Sequence, residues 1–309
     1  MAVASSLDLS VQVGAVRLAN PIITASGTWG YGLEFAHLID LNQLGGIVVK
    51  GLSLEPMEGA PPPRLVETPS GMVNAVGLQN IGVRAFVSEK LPALRQYRTA
   101  IIANIFGHTV GEYPEVARVL EEAEGLAAYE LNISCPNTAR GGMQFGGTAS
   151  GAAEVVEAVR RVTKRPLWVK LSPLVADIGE IARAVEAGGA DGLTVANTYP
   201  AMSIDAVSRK SRLGNPTGGL SGPAIKPITQ RQVFEVVKNV RIPVIGLGGI
   251  ETVVDVVEYL VLGAAAVQIG TASFADPGVP GRLVRNLTEW LVRSNINELS
   301  ELRGSFRPS

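Results

Sequence analysis

Short apolar runs rich in valine and isoleucine recur along the chain, each ending on Gly, Asn, Ser, Thr or Lys and most leading into a segment of helical period. In order they are PIITASG (21–27), GIVVKG (46–51), AIIANIFG (100–107), YELNISC (129–135), LWVKLS (167–172), GLTVANT (192–198), PVIGLGG (243–249) and AVQIGTA (266–272). Runs that stay apolar instead of alternating indicate strands covered on both faces, the condition of a parallel sheet. The segments between them carry apolar stripes at three- and four-residue spacing. Val155, Val156, Val159 and Val162 make one stripe, and Ile178, Ile181, Ala182 and Val185 make another ahead of a glycine stop. The segment TVVDVVEYLVLGA repeats the scheme, and Leu283, Val284, Leu287 and Leu291 give the last helix an ordinary packing face.

Eight strand-and-helix units in this length predict an α/β fold, a single (β/α)8 TIM barrel, better than an open doubly wound sheet. Two intervals are overlong, after strand two (52–99) and after strand six (199–242), and in a barrel both lie on the C-terminal face where sites are built. The opening LDLSVQVGAVRLANP alternates around Gly14 and predicts an N-terminal β-hairpin that closes the bottom of the barrel. No linker or shift of composition interrupts the pattern, so one domain over 1–309 is expected.

Composition narrows the class of protein. Hydrophobic residues make up 46% and charged residues 18%, which suits a compact enzyme. With 27 Lys+Arg against 28 Asp+Glu and no basic run, electrostatic capture of nucleic acid is not signalled. The N-terminus lacks a secretory pattern and no apolar stretch approaches a bilayer span, so a cytoplasmic protein without a membrane segment is expected. A lone cysteine, Cys135, excludes an intrachain disulfide, and His37 and His108 lack ligand spacing, so no protein-held metal is expected.

Candidate chemistry sits at the strand ends. Lys50 ends strand two, Asn104 strand three, Asn132 and Ser134 strand four, Lys170 and Ser172 strand five, and Asn197 and Thr198 strand six. Turn formation accounts for any single Asn or Ser. It does not account for two lysines converging on one mouth. Strands seven and eight instead end in GLGGI (246–250) and GTAS (270–273), each running toward a helix, as in a phosphate site. Either glycine segment alone could be turn punctuation; together they favour phosphate. The amide-rich half suits a flat heterocycle with carbonyl and N–H groups, since carboxamides both donate and accept.

These residues resemble a known family, the class 1 dihydroorotate dehydrogenases. The resemblance spans NPIITASGTWGYG (20–32), VVKGLS (48–53), NAVGLQN (74–80), NISCPN (132–137), GGLSGPAIKPI (218–228), GLGGI and QIGTA, seven ordered matches over almost the whole chain. Ile81 departs from it, because proline commonly follows the preceding Asn in the family. The resemblance implies one FMN per chain, held by Ser26, Lys50, Gly51, Asn104, Asn132, Lys170, the backbone near Ala196, and Gly222. The FMN phosphate would lie at Gly248, Gly249, Gly270 and Thr271. It implies dihydroorotate gripped by Lys50, Asn74, Ala75, Val76, Gly77, Leu78, Asn132, Asn137, Asn197 and Thr198. Hydride would leave C6 for the flavin N5 while Cys135, as catalytic base, takes the C5 proton. Ser134 would support the backbone beside it. Lys170 would be the second catalytic group, stabilising charge on the reduced flavin.

Within the class, ARGGMQFG (139–146) and GGLSGPAIKPI look like subtype 1B more than the fumarate-linked homodimers of subtype 1A. That implies a homodimer core joined to a separate electron-transfer subunit carrying FAD and a 2Fe-2S cluster, a heterotetramer passing electrons to NAD+. Three other readings stay open: a related FMN enzyme reducing pyrimidines, a phosphosugar aldolase or isomerase barrel without a redox cofactor, and a noncatalytic ligand-binding barrel. Trp29 and Tyr31 are expected to shape the loop around the ligand, and His37 and His108 to be structural or surface residues.

Overall fold

All eight apolar runs become strands of one closed parallel barrel in the computed structural model, which describes residues 7–133 and 143–308. A hairpin of β1 (Val11–Val13) and β2 (Val16–Leu18) comes first, followed by barrel strands β3 (Ile22–Thr24) and β4 (Gly46–Val48). Outside the barrel, β5 (Leu65–Thr68) and β6 (Gly71–Asn74) form a second hairpin. The barrel resumes with β7 (Ala100–Ile105), β8 (Ala128–Asn132), β9 (Leu167–Lys170) and β10 (Gly192–Val195). After the short strands β11 (Tyr199–Ala201), β12 (Ile204–Asp205), β13 (Lys210–Ser211) and β14 (Gly218–Ser221), it closes with β15 (Val244–Leu247) and β16 (Ala266–Ile269). Strand β16 pairs in parallel with β3, which completes the ring.

The ladders are shorter than the apolar runs. Strand β4 ends at Val48, two residues before Lys50, and β10 ends at Val195, before Asn197 and Thr198. These three polar residues have left the sheet, whereas Asn104, Asn132 and Lys170 remain in their strands.

Helices cover the outside with the predicted stripes. Val155, Val156 and Val159 of helix Ala149–Arg160 are buried, as are Ile178, Ile181, Ala182 and Val185 of helix Ile178–Ala187. Leu283, Leu287 and Leu291 do the same for helix Val279–Arg293. No helix among the described residues is long and apolar enough to cross a membrane.

Inside the barrel the packing changes character in one pleat step. Ile23, Val48, Ile102, Ala128, Trp168, Ile245 and Ala266 form a fully buried lower layer with Val13, Val16 and Leu18 of the first hairpin. The hairpin thus plugs the N-terminal end. Side chains on one face of a strand recur every second residue. Two residues on from Ile102, Ala128, Trp168 and Ala266 stand Asn104, Glu130, Lys170 and Gln268, all buried and polar. The apolar plug therefore ends where a polar floor begins.

The two overlong intervals are more ordered than loops. Strands from both join in one antiparallel sheet of order β11-β14-β6-β5, with Gly219 opposite Asn74 and Leu220 opposite Val73. Asn74 donates from Nδ2 to the Gly219 carbonyl at 3.1 Å, tying the first interval to the second.

Candidate functional site

The strand ends open into a cavity of about 1150 Å³. That volume includes the space where the cleft opens to solvent. Its floor carries Asn104, Asn132, Lys170 and Gln268, and Ser26, Lys50 and Gly51 stand at the ends of β3 and β4. Ala196, Asn197 and Thr198 follow β10 on the wall. The antiparallel sheet supplies the opposing wall with Leu65, Asn74, Val76, Gly77 and Leu78. The glycine side is made of Gly222, Gly248, Gly249, Gly270 and Thr271. Barrel and sheet thus bring nearly every expected position to one concavity.

Ala75 is the exception among the expected positions that are described. The pleat turns Asn74 and Val76 to the cavity and Ala75 away from it, into a small buried cluster with Val73 and Leu213, so it does not touch the ligand space. Its N–H donates to the Arg64 carbonyl at 2.8 Å. Cys135, Asn137 and Ser134 lie outside the described residues. Trp29, Tyr31, His37 and His108 stand outside the lining; Tyr31 Oη accepts the Ile81 N–H at 3.0 Å, which anchors the backbone at that position.

Among the lining residues that were not anticipated are two polar ones, Gln268, from the middle of β16, and Ser221, from the end of β14. Ser221 accepts from the Thr271 hydroxyl at 2.7 Å and links the sheet to the glycine side. Beneath them Glu130, fully buried, accepts from Asn104 Nδ2 (2.7 Å), Thr194 Oγ1 (2.7 Å) and Gln268 Nε2 (2.6 Å). On the amide side Asn197 donates to Asn132 Oδ1 at 3.3 Å, and its own Oδ1 accepts the Thr198 N–H at 2.8 Å. Lys170 is 6% exposed, so its ammonium acts where water screens it little.

The glycine side is held from behind. Tyr259, fully buried in helix Val253–Val261, donates to the Gly248 carbonyl at 2.7 Å. Gly249 has φ 65°, and a Cβ there would stand 2.7 Å from Lys226 Cβ, so only glycine fits this bend. Gly270 differs. A Cβ on it would meet nothing closer than Ala25 Cβ at 3.5 Å, so the chain itself does not demand glycine there. Space kept open toward a cavity is what a closely approaching ligand requires. The N–H groups of Glu251 and Thr252 at the head of the helix are already engaged by Asp255 Oδ2 (3.0 and 2.7 Å). An anion on this side would therefore rest on the glycine turns more than on that helix end.

Lys226 reaches from behind Gly249 to Asp255 (2.5 Å) and Glu258 (2.9 Å). Burial pushes the Asp255 carboxyl up, but the Lys226 ammonium and the N–H donors of Glu251 and Thr252 outweigh it and hold it below its ordinary value. A depressed folded pKa means that stability is fully present above the unfolded value of 3.8 and is lost as pH falls through the folded one. Asp255→Asn is expected to cost about 1–3 kcal/mol near neutral pH and to flatten the stability curve below about pH 4. Urea melts at neutral and acid pH read both effects.

A profile described as dihydroorotate dehydrogenase matches residues 8–291. A Solibacter usitatus protein described as a putative dihydroorotate dehydrogenase A (fumarate) is 54% identical over 300 residues, 97% of this chain and 99% of its own length. A Desulforamulus reducens protein described as the catalytic subunit of dihydroorotate dehydrogenase B (NAD(+)) is 51% identical over 299 residues, covering 97% and 98% of the two chains. A Thermodesulfovibrio yellowstonii protein of the same description is 49% identical over 299 residues, covering 97% and 99%.

Proposed function

The chain belongs to the dihydroorotate dehydrogenase family, and from that premise we propose that it oxidises dihydroorotate to orotate in pyrimidine biosynthesis with FMN in the barrel-mouth cavity. The observation that carries the reading is the division of one cavity into a glycine side and a side of lysines and carboxamides. FMN has the same division, with a phosphate at one end and a ring edged by carbonyl and N–H groups at the other. Its fit is supported by Asn104 Oδ1 and Gln268 Oε1, buried acceptors with no hydrogen-bond partner among the described residues, and by the open space beside Gly270. When bound, FMN supplies the acceptor for the hydride that leaves C6 of dihydroorotate.

The chain's own residues then have distinct tasks. Gly248, Gly249, Gly270 and Thr271 would hold the phosphate, and Ser26, Gly51, Asn104, Ala196 and Gly222 the rest of the cofactor. Asn74, Val76, Gly77, Leu78, Asn132, Asn197 and Thr198, with Asn137, would orient the substrate, whose imide edge matches carboxamides that donate and accept. Lys50 offers its ammonium to the substrate carboxylate and to the cofactor. Lys170 supplies positive charge where the electrons arrive. Cys135, three residues beyond Asn132, takes the C5 proton, which the neighbouring C4 carbonyl makes acidic. The sheet wall of β5, β6 and β14 shields the reacting atoms from water.

For the electron acceptor we adopt the NAD-linked reading. The segments ARGGMQFG and GGLSGPAIKPI favour it, and several relatives near half identity are described as NAD(+) catalytic subunits. A homodimer of this chain would then join a subunit bearing FAD and a 2Fe-2S cluster and work in the cytoplasm. The fumarate-linked reading stands second because the Solibacter usitatus relative carries that description. Anaerobic mixing tests both. The purified chain is expected to be yellow, to bleach with dihydroorotate, and to be reoxidised by NAD+ only when the partner subunit is added. A colourless chain, or flavin that does not bleach, overturns the reading; rapid reoxidation by fumarate alone moves it to the second.

A further inference from the structure

Glu130 lies inside the barrel, opposite Asn104 in the β7–β8 register and one pleat step above the apolar plug. Oε1 accepts from Asn104, and Oε2 accepts from Thr194 and Gln268. A carboxylate only accepts, so each carboxamide has to turn its NH2 toward it. The orientation of the other end of each group follows. Asn104 Oδ1 and Gln268 Oε1 are directed away from Glu130, are buried, and find no hydrogen-bond partner among the described residues. Both residues line the cavity floor, and a Cβ on Gly51 would lie 3.0 Å from Asn104 Oδ1, which puts that acceptor beside a glycine of the cavity wall. Buried acceptors are rarely left unfilled, and two at one floor point to a donor that arrives with the ligand.

We propose that Glu130 is a positioning residue for cofactor recognition: it locks the Asn104 and Gln268 carboxamides as acceptors, so that the cavity floor selects a ring edge that donates N–H. The proposal rests on the flavin reading above. Oxidised flavin carries one ring N–H, at N3 between two carbonyls, and a freely rotating carboxamide could face the carbonyls with its NH2 as readily as the N–H with its oxygen. The carboxylate removes that choice. Glutamine at 130 would restore it, because it donates as well as accepts.

The apo-protein is titrated with FMN and with 3-methyl-FMN, following flavin fluorescence, in the wild type and in Glu130→Gln. The wild type is expected to bind FMN about tenfold or more tighter than the methylated analogue, the scale of one buried hydrogen bond and its unfilled acceptor. In Glu130→Gln the affinity for FMN is expected to fall about tenfold and the ratio of the two flavins to shrink toward one. A merely structural role would weaken both flavins alike and leave the ratio intact. An unchanged ratio in the variant, or equal binding of both flavins by the wild type, overturns the proposal. If Glu130→Gln does not fold, Glu130→Asp withdraws the carboxylate from the two carboxamides and frees them to turn, so the ratio should fall below that of the wild type; a wild-type ratio there overturns the proposal. A wild type that binds neither flavin indicts the cofactor reading itself.

Discussion

Replacing Cys135 with alanine is expected to slow the reduction of bound flavin by dihydroorotate by about 10²–10⁴-fold, the usual worth of a positioned general base. Affinities for FMN and orotate should stay within about threefold, because the side chain removed is small and, in the proposed role, acts only on a proton. The C5 proton is acidified by the adjacent carbonyl yet still too weakly acidic to leave unaided. A thiol with an ordinary pKa of about 8.5 is partly ionised near neutrality. The reactive form is the deprotonated one, so the rate should rise with pH and level off above the thiol pKa. Cys135→Ser should lose that rise along with most of the rate, since a serine hydroxyl does not ionise in this range. Anaerobic stopped-flow across pH measures both. An alanine variant that binds FMN and orotate and still bleaches at the wild-type rate would remove cysteine from the chemistry.

Much of this site is legible in the sequence, and the reason lies in where each signal is stored. Barrel strands are buried on both faces, so β4 and β7 announce themselves as apolar runs and the polar Lys50 and Asn104 stand out against them. The first hairpin is equally plain, because Val11, Val13, Val16 and Leu18 alternate with polar residues around Gly14. The sheet wall had no such mark. Its β14 is GGLS and its β5 is LVET, short and half exposed, and the pairing of Gly219 with Asn74 joins segments far apart in the chain. Local propensity says little about such a contact. Ala75 shares the buried face of Val73, whereas Asn74, Val76, Gly77 and Leu78 face the cavity, and nothing local in NAVGL marks that one inward turn. The same period of two could have found Glu130 and Gln268, each two residues before a position already suspected, Asn132 and Gly270. They were missed because a polar residue in mid-strand looks like an irregularity until the layer it belongs to is visible.

Lys170→Met should lower the rate of flavin reduction about 10²–10³-fold, and it should also move a quantity that needs no turnover. Lys170 ends β9 with its side chain buried, level with Asn132 of β8 and Thr194 of β10. A positive charge held in that place favours the electron-rich reduced cofactor over the oxidised one. Removing it should therefore drive the reduction potential more negative, by about 30–60 mV for a two-electron couple if the charge is worth about 1.4–2.8 kcal/mol. Equilibration with a reference dye reads the shift directly. Lys170→Arg separates charge from shape: the potential should stay near that of the wild type, while the rate falls because the planar guanidinium cannot occupy the place of a compact ammonium. Lost stability alone would lower the yield of protein and leave the potential of the folded fraction where it was. A methionine variant with an unshifted potential would mean that the compensating charge comes from Lys50 across the cavity, and the same measurement on Lys50→Met would then show the shift.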